Sequence, residues 1–243
     1  MNIVVLAGGL SPERNVSFAS GAMVAQALRR KGHQVAMVDL YLGLEDYGHP
    51  LSELFRLPPP LPDLSIKEEE PDLKAVKAAR KLRSGSIFGQ GVLAACQMAD
   101  VVFNALHGES GEDGRIQAAF DMLGIAYTGS GYLGSAIAMD KNYTKQLAAA
   151  EGILTPQWRA VKLTDREIEE VERSEPLPCV VKIHNGGSSV GVFICRTGEE
   201  LHRALRECRR FGRQALIEQF VEGRDFFCGV LDGESLPPIE VIP

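Results

Sequence analysis

The stretch from Met1 to Leu40 limits the fold more than any other. Ile3 to Ala7 is a short continuous apolar run, as expected of a strand buried on both faces. Gly8-Gly9-Leu-Ser-Pro-Glu-Arg follows as a turn. From Val16 to Arg30 apolar residues recur at helical spacing (Val16, Ala19, Met23, Ala27), and Gly32 marks the stop. His33 to Leu40 reads as a second strand. Strand, helix and strand in this order form a βαβ unit, which predicts an open parallel α/β sheet.

The sheet pattern resumes at Asp100-Val-Val-Phe-Asn-Ala-Leu, a third buried strand leading into His107-Gly-Glu-Ser-Gly-Glu-Asp-Gly. A helix is expected over Arg115–Leu123, stopped by Gly124, then a short strand over Ile125–Thr128. Ala136 to Ala150 reads as helix with a break near Asp140-Lys141. Residues 41–86 interrupt the pattern with Leu57-Pro-Pro-Pro-Leu-Pro and Lys67-Glu-Glu-Glu-Pro, and suggest an exposed excursion with one short helix, Leu73–Leu82.

A boundary falls between Met139 and Pro156, giving domains 1–139 and 140–243. The second half alternates differently. Strands are expected at Trp158–Leu163, Cys179–Ile183, Val190–Cys195, Gln214–Phe220, Asp225–Leu231 and Leu236–Ile242, with helices at Asp165–Arg173 and Glu199–Arg210. A tight Gly-rich link between two strands implies an antiparallel hairpin, so this half reads as α+β.

The 243 residues carry a formal net charge of −6, which argues against nucleic acid as a partner. No apolar run approaches the roughly 20 residues of a membrane helix. The start, Met1-Asn-Ile-Val-Val, lacks the basic region of a signal peptide, so a cytoplasmic protein is expected. The five cysteines are scattered, without CxxC or metal spacing, and read as buried free thiols.

Several residues could carry chemistry. In Val180-Val-Lys-Ile-His-Asn-Gly-Gly-Ser-Ser-Val-Gly-Val-Phe-Ile, a glycine hairpin follows Lys182. It is no Walker loop, because no Lys follows its last glycine and a strand, not a helix, comes next. Backbone N–H groups of such a hairpin can cradle phosphates, with Lys182 adding charge; an ordinary flexible hairpin fits equally well. Glu218, Glu222 and Asp225 suit either hydrogen bonds to an adenosine or a plain turn. Glu13 stands where the first helix begins, able to hold an ammonium or to suit the helix N-terminus. His107 ends a strand at the sheet's carboxyl edge, where open α/β sheets place ligands; Glu109, Glu112 and Asp113 follow it, either to tune it or to cap the next helix. The absence of GxGxxG disfavours a nicotinamide oxidoreductase.

"AGGLSPERNVS", "NALHGESGEDG", "YTGSG…MDK" and "VVKIHNGGSSVGV…LIEQFVEGRDF" occur in this order, and together they resemble the D-alanine–D-alanine ligases of the ATP-grasp superfamily. The resemblance spans the chain apart from the excursion. It implies a preATP-grasp domain followed by a central ATP-grasp lobe, ATP with Mg²⁺ or Mn²⁺, D-alanine as substrate, and a homodimer. By motif, Glu13 would hold the ammonium of the first D-alanine and His107 would lie near its carboxylate. Ser188 would orient substrate and catalytic groups. Lys141 and Lys182 would contact ATP phosphates, with Gly186, Gly187, Ser188, Ser189 and Val190 covering them. Glu218, Val221 and Asp225 would contact the adenosine.

Two positions depart from the family pattern: Asn15 stands where an acidic residue is frequent, and Ile183-His184-Asn185 follows Lys182 where Pro is frequent. The family also continues beyond the position of Pro243 into a segment with its metal ligands. The resemblance therefore implies a C-terminally incomplete catalytic domain, no metal ligand in this chain, and no ligase activity from the chain alone. The alternatives are a D-Ala–D-Ser or D-Ala–D-lactate ligase, or a non-catalytic nucleotide-binding fragment.

Overall fold

A computed structural model describes residues 1–62, 71–186 and 191–242. They divide into two units, the first being Met1–Leu147 with Asn185 and Gly186, the second Ala148–His184 and the chain from Gly191 on.

In the first unit three parallel strands, β1 (Asn2–Ala7), β2 (Gln34–Asp39) and β3 (Val101–Asn104), pair in the order β2-β1-β3. Successive β1 side chains point to opposite faces. Ile3, Val5 and Ala7 pack with Ala22 and Ala25 of helix α1 (Arg14–Arg30). Val4 and Leu6 pack on the other face with Phe120, Ile116, Val92 and Cys96. Burial on both faces explains the unbroken apolar run, and each buried Val, Leu or Phe contributes about 1.5–3 kcal/mol.

Helix α1 does not bury the expected Val16–Ala19–Met23–Ala27 face. Val16 and Met23 are 39% and 56% exposed. Apart from Arg14 in the first turn, the buried residues are small: Ser17, Ala19, Gly21, Ala22 and Ala25. The helix lies so close to the sheet that a Cβ on Gly21 would sit 3.0 Å from Met37 and 3.1 Å from Ala7. Bulky residues are excluded from such a seam, and apolar spacing alone selects the wrong stripe.

Residues 41–86 hold a 3₁₀ turn (Leu51–Glu53) and α2 (Leu73–Ala79). Part of this segment is core: Leu54 and Phe55 are buried in the cluster under β1. Helix α3 (Val92–Met98), absent from the sequence reading, starts after Gly91 at φ 76° and buries Val92, Ala95 and Cys96. Helix α4 (Arg115–Leu123) ends at Gly124, as expected. Ile125–Thr128 makes a single bridge, Val102 to Tyr127, where a strand was expected. Helix α5 (Tyr132–Met139) begins earlier than expected, and Asp140 separates it from α6 (Lys141–Ala150).

The second unit is a four-stranded antiparallel sheet in the order β4-β7-β5-β6, with β4 Trp158–Lys162, β5 Cys179–Ile183, β6 Val192–Cys195 and β7 Gln214–Gln219. Helices α7 (Asp165–Ser174) and α8 (Gly198–Phe211) share one core cluster with Cys179, Val181, Ala215 and Ile217. By strand alternation, Val180, Lys182, Leu216 and Glu218 point to the opposite face. The expected hairpin is present: β5 and β6 pair antiparallel, and Ile183 N–H donates to Gly191 O at 2.9 Å.

Farther on, the expected Asp225–Leu231 strand is two pieces, β8 (Asp225–Phe227) and β9 (Val230–Leu231), broken at Cys228-Gly229. Two more short strands follow, β10 (Glu234–Ser235) with β9 and β11 (Ile239–Val241) with β8. Their apolar side chains lie open: Phe227 is 63% exposed and Val230 68%. Cys228 is exposed, against expectation, while the other four cysteines are buried.

Candidate functional site

In the first unit, the chain crosses from β1 through α1 to β2 on one side, then returns to β3 on the other. The strand order reverses between β1 and β3, the place where open α/β sheets accept ligands beyond the carboxyl ends of the strands. The loop after β1 carries Glu13, and the loop after β3 carries His107.

Gly8 and Gly9, at φ 78° and 77°, turn the chain out of β1 in a conformation that favours glycine. Gly8 N–H donates to Ser17 Oγ at 2.8 Å, and that hydroxyl donates to Ala105 O at 2.7 Å, so one serine joins the two loops. Arg14 is buried, donates to Gly9 O at 2.5 Å and pairs with Asp39. Asp39 also accepts from Tyr41 N–H at 2.8 Å.

Glu13 occupies the N-cap position of α1, but its side chain makes no capping bond. The carboxylate turns toward the other loop: a Cβ on Gly108 would lie 2.6 Å from Glu13 Oε2 and 2.7 Å from Ser11 Oγ. The neighbouring His107 has Nε2 3.4 Å from Ser20 Oγ and Nδ1 3.9 Å from Glu112 Oε1. Ser20 Oγ donates its hydrogen to Val16 O at 2.9 Å, which leaves the oxygen to accept from Nε2–H. Glu112 also accepts from Gly108 N–H at 2.7 Å, holding the glycine turn in place. A half-buried imidazole and a carboxylate thus stand at the switch point, suited to a small zwitterion.

In the second unit, Lys182 pairs with Glu218 across adjacent strands on the sheet face away from α7 and α8. Their side chains are 26% and 8% exposed. Lys182 also stands one residue before the base of the hairpin at Ile183 and Gly191. Returning to the first unit, Lys141 Nζ donates to Gly186 O, and Asp140 bridges to Asn185.

The structure therefore brings Glu13 beside the His107–Gly108 turn, Lys182 to Glu218, and Lys141 to Gly186. Val221 and Asp225 are exposed on the chain after β7. Gly187, Ser188, Ser189 and Val190 lie outside the described residues. Ser11, Arg14, Ser17, Ser20 and Asp39 escaped the sequence reading. For Arg14, Ser17 and Ser20 the signal was the polar residues inside a helix otherwise read for its apolar spacing; Ser11 and Asp39 lie outside that helix. Among the described residues, no group of three or more His, Cys, Asp or Glu side chains converges as a metal site.

Comparison with known proteins gives a consistent result. Residues 2–130 match the family model described as D-ala D-ala ligase N-terminus, and residues 147–243 that of D-ala D-ala ligase C-terminus. A D-alanine–D-alanine ligase of Lacticaseibacillus casei is 41% identical over 99% of this chain and 67% of its own length. That of Pediococcus pentosaceus is 39% identical over 100% and 69%. A crystal structure of D-alanine–D-alanine ligase from Bacillus anthracis superposes with TM-score 0.68 at 29% identity, over 99% of this chain and 64% of that one. The ligase from Coxiella burnetii gives 0.70 at 25%, over 100% and 71%. The chain spans about two thirds of the length of the curated relatives it matches.

Proposed function

This chain belongs to the D-alanine–D-alanine ligase family, and from that premise we propose that it acts in the ATP-dependent joining of two D-alanines for peptidoglycan precursors. In the proposed reaction, ATP transfers its γ-phosphoryl group to the carboxylate of the first D-alanine. The amine of the second attacks the acylphosphate carbon, the C–O bond to phosphate breaks, and a proton leaves the nitrogen. Such chemistry depends mostly on positioning and charge neutralisation.

The observation that carries the substrate assignment is the approach of the Glu13 carboxylate to the His107–Gly108 turn at the strand-order reversal. Glu13 pairs with the ammonium of the first D-alanine, and His107 lies near its carboxylate. Lys141 and Lys182 neutralise ATP phosphates, beneath the loop from Gly186 to Val190. Glu218, Val221 and Asp225 contact the adenosine, and Ser188 orients the substrate. Residues 1–139 form the preATP-grasp domain and 140–243 the central lobe.

ATP as a ligand is supported by a Bacillus anthracis D-alanine–D-alanine ligase complexed with ATP, with TM-score 0.66 at 27% identity. The cation travelling with ATP would be Mg²⁺ or Mn²⁺, and no residue of this chain is assigned to it. We propose a cytoplasmic homodimer through the first unit; no helix among the described residues is long and apolar enough to cross a membrane.

Calorimetric titration of the 243-residue chain with MgATP tests the nucleotide half. Binding weakened roughly tenfold or more by Lys182→Ala is the expected result, since a charge-assisted phosphate contact is worth about 1.5–3 kcal/mol. Equal binding by the variant removes Lys182 from the site. Formation of D-alanyl-D-alanine, by the chain or by a fusion supplying the relatives' remaining third, tests the reaction. Dipeptide formation that survives Glu13→Gln unchanged contradicts the substrate assignment.

A further inference from the structure

A cavity of about 270 Å³ opens beside α2, lined by Tyr41, Lys77, Arg80, Arg83 and Ser84 among others. It belongs to the excursion and shares only Tyr41 with the site above, where the Tyr41 N–H bonds Asp39. Arg80 is buried at 6% exposure. Its Nη1 and Nη2 donate to Ser86 O at 2.6 Å and Phe88 O at 2.7 Å, and its Cζ stands 4.7 Å over the Tyr41 ring. The remaining donor on the chain side, Nε–H, is buried and meets no acceptor among the described residues.

None of the three cations has a carboxylate within ion-pair distance among the described residues. Two described acids of the excursion are engaged elsewhere. Asp46 pairs with Lys81, and Glu45 accepts from Lys81 N–H at 2.7 Å and Leu82 N–H at 2.9 Å. The whole chain is net negative, at −6, so three cations with no ion-pair partner among the described residues run against its overall charge on one cavity. A buried guanidinium without a counter-charge is costly, and an anion seated in the cavity that Arg80 lines supplies the charge that no described carboxylate gives.

The size restricts the ligand. The volume lies at the lower edge of the roughly 300–1,000 Å³ of sites for drug-sized molecules, a size that suits a tetrahedral oxyanion with a short substituent. Ser84 adds a hydroxyl donor and Tyr41 a phenol. We propose that this cavity binds a small phosphate, either orthophosphate or the phosphate of a small monoester, independently of the nucleotide-binding reading.

The test follows the arginine Nε–H signals in ¹H–¹⁵N spectra of the 243-residue chain as inorganic phosphate is added at constant low ionic strength. The expected result is a saturable downfield shift of the Arg80 Nε–H, with no such shift from sodium chloride. Lys77→Ala with Arg83→Ala, both exposed positions, should weaken phosphate by about tenfold or more while leaving the fold intact. Lys182→Ala, in the proposed nucleotide site, should leave the Arg80 titration in place, which separates the two sites. Glycerol phosphate binding more tightly than orthophosphate assigns the monoester; weaker binding assigns the free ion. No saturable Arg80 shift, an equal shift with chloride, or unchanged affinity in the double variant overturns the proposal.

Discussion

Arg14 binds both carboxylate oxygens of Asp39 and, through Nη1, the carbonyl of Gly9 at 2.5 Å. The two side chains are 7% and 11% exposed, so the first turn of α1, the loop after β1 and the end of β2 share one buried ion pair. Glu13 is the residue before Arg14, and its placement depends on this clamp.

Removing one member of the pair leaves the other charge buried without its partner. Arg14→Ala and Asp39→Ala should each cost the first unit about 3–5 kcal/mol. Arg14→Lys should lose part of this, since an ammonium lacks the planar fork that reaches Asp39 and Gly9 together. With two units, a single global transition is not assured. Hydrogen exchange of the β1 and β3 amides reads the first unit by itself, while fluorescence of Trp158 in β4 follows the second and should not move. A loss below about 1 kcal/mol in the β1 amides would remove the clamp from the explanation.

The second prediction concerns the two-loop contact. Gly108 has φ 70°, and a Cβ there would lie 2.6 Å from Glu13 Oε2. Gly108→Ala should cost about 1–2 kcal/mol of backbone strain. It should also push the Glu13 carboxylate away from the turn and weaken D-alanine binding beyond that stability loss. Gly124→Ala is the control: its φ is also positive, at 66°, but nothing lies near the added methyl. D-alanine titrations of both variants decide the matter. Equal binding by the two means that Glu13 is not held by this contact.

Much of this fold is legible in the sequence because its signals are local. Strand β5 and helix α4 begin and end at the expected residues, since apolar runs and Gly124 are cues within a few positions. Helix α3 is short, with buried positions Val92, Ala95 and Cys96 only, too few to register as a period. The buried face of α1 was misjudged because close packing selects small residues, a property of the sheet it meets and not of the helix. At the site, Glu13 and His107 stood out by residue type and motif. Ser20, Arg14 and Asp39 did not, because their partners lie tens of residues away in the chain.

Thiol chemistry gives the third prediction. Burial pushes the Cys96 thiol up to about 12. Burial, followed by the Glu207 charge, pushes Cys208 up to about 11. Cys179 is also pushed up, first by its hydrogen bond with the Cys195 thiol and then by burial. A raised value keeps these three thiols protonated and unreactive at pH 8, and burial alone shields Cys195, whose value the bond with Cys179 lowers. Only Cys228 is exposed among the five cysteines. Native protein should therefore release one equivalent of thionitrobenzoate rapidly and five in denaturant, and Cys228→Ser should abolish the fast phase. Rapid reaction of a second thiol would show that its unit opens readily, the first unit for Cys96 and the second for Cys179, Cys195 or Cys208.

The fourth prediction concerns acid and the start of α8. Thr197 Oγ1 accepts from Glu200 N–H at 3.2 Å, and the Glu200 carboxylate accepts from Arg196 N–H at 2.7 Å and Thr197 N–H at 3.0 Å. This reciprocal cap satisfies donors that the helix itself leaves open. The bonds from Arg196 and then Thr197 hold the Glu200 carboxyl below its ordinary range. A depressed folded value means the contribution is present above the unfolded carboxyl's value and is lost as pH falls through the folded one. Urea unfolding of the second unit, followed by Trp158 fluorescence, should show Glu200→Gln less stable than wild type at neutral pH. That gap should narrow below the usual glutamate range, as the wild-type carboxylate takes up its proton. Thr197→Ala removes the other half of the cap and should cost about 1 kcal/mol at either pH, because the hydroxyl does not titrate. A Glu200→Gln gap that stays constant into acid would mean that the charged form is not what holds the first turn of α8.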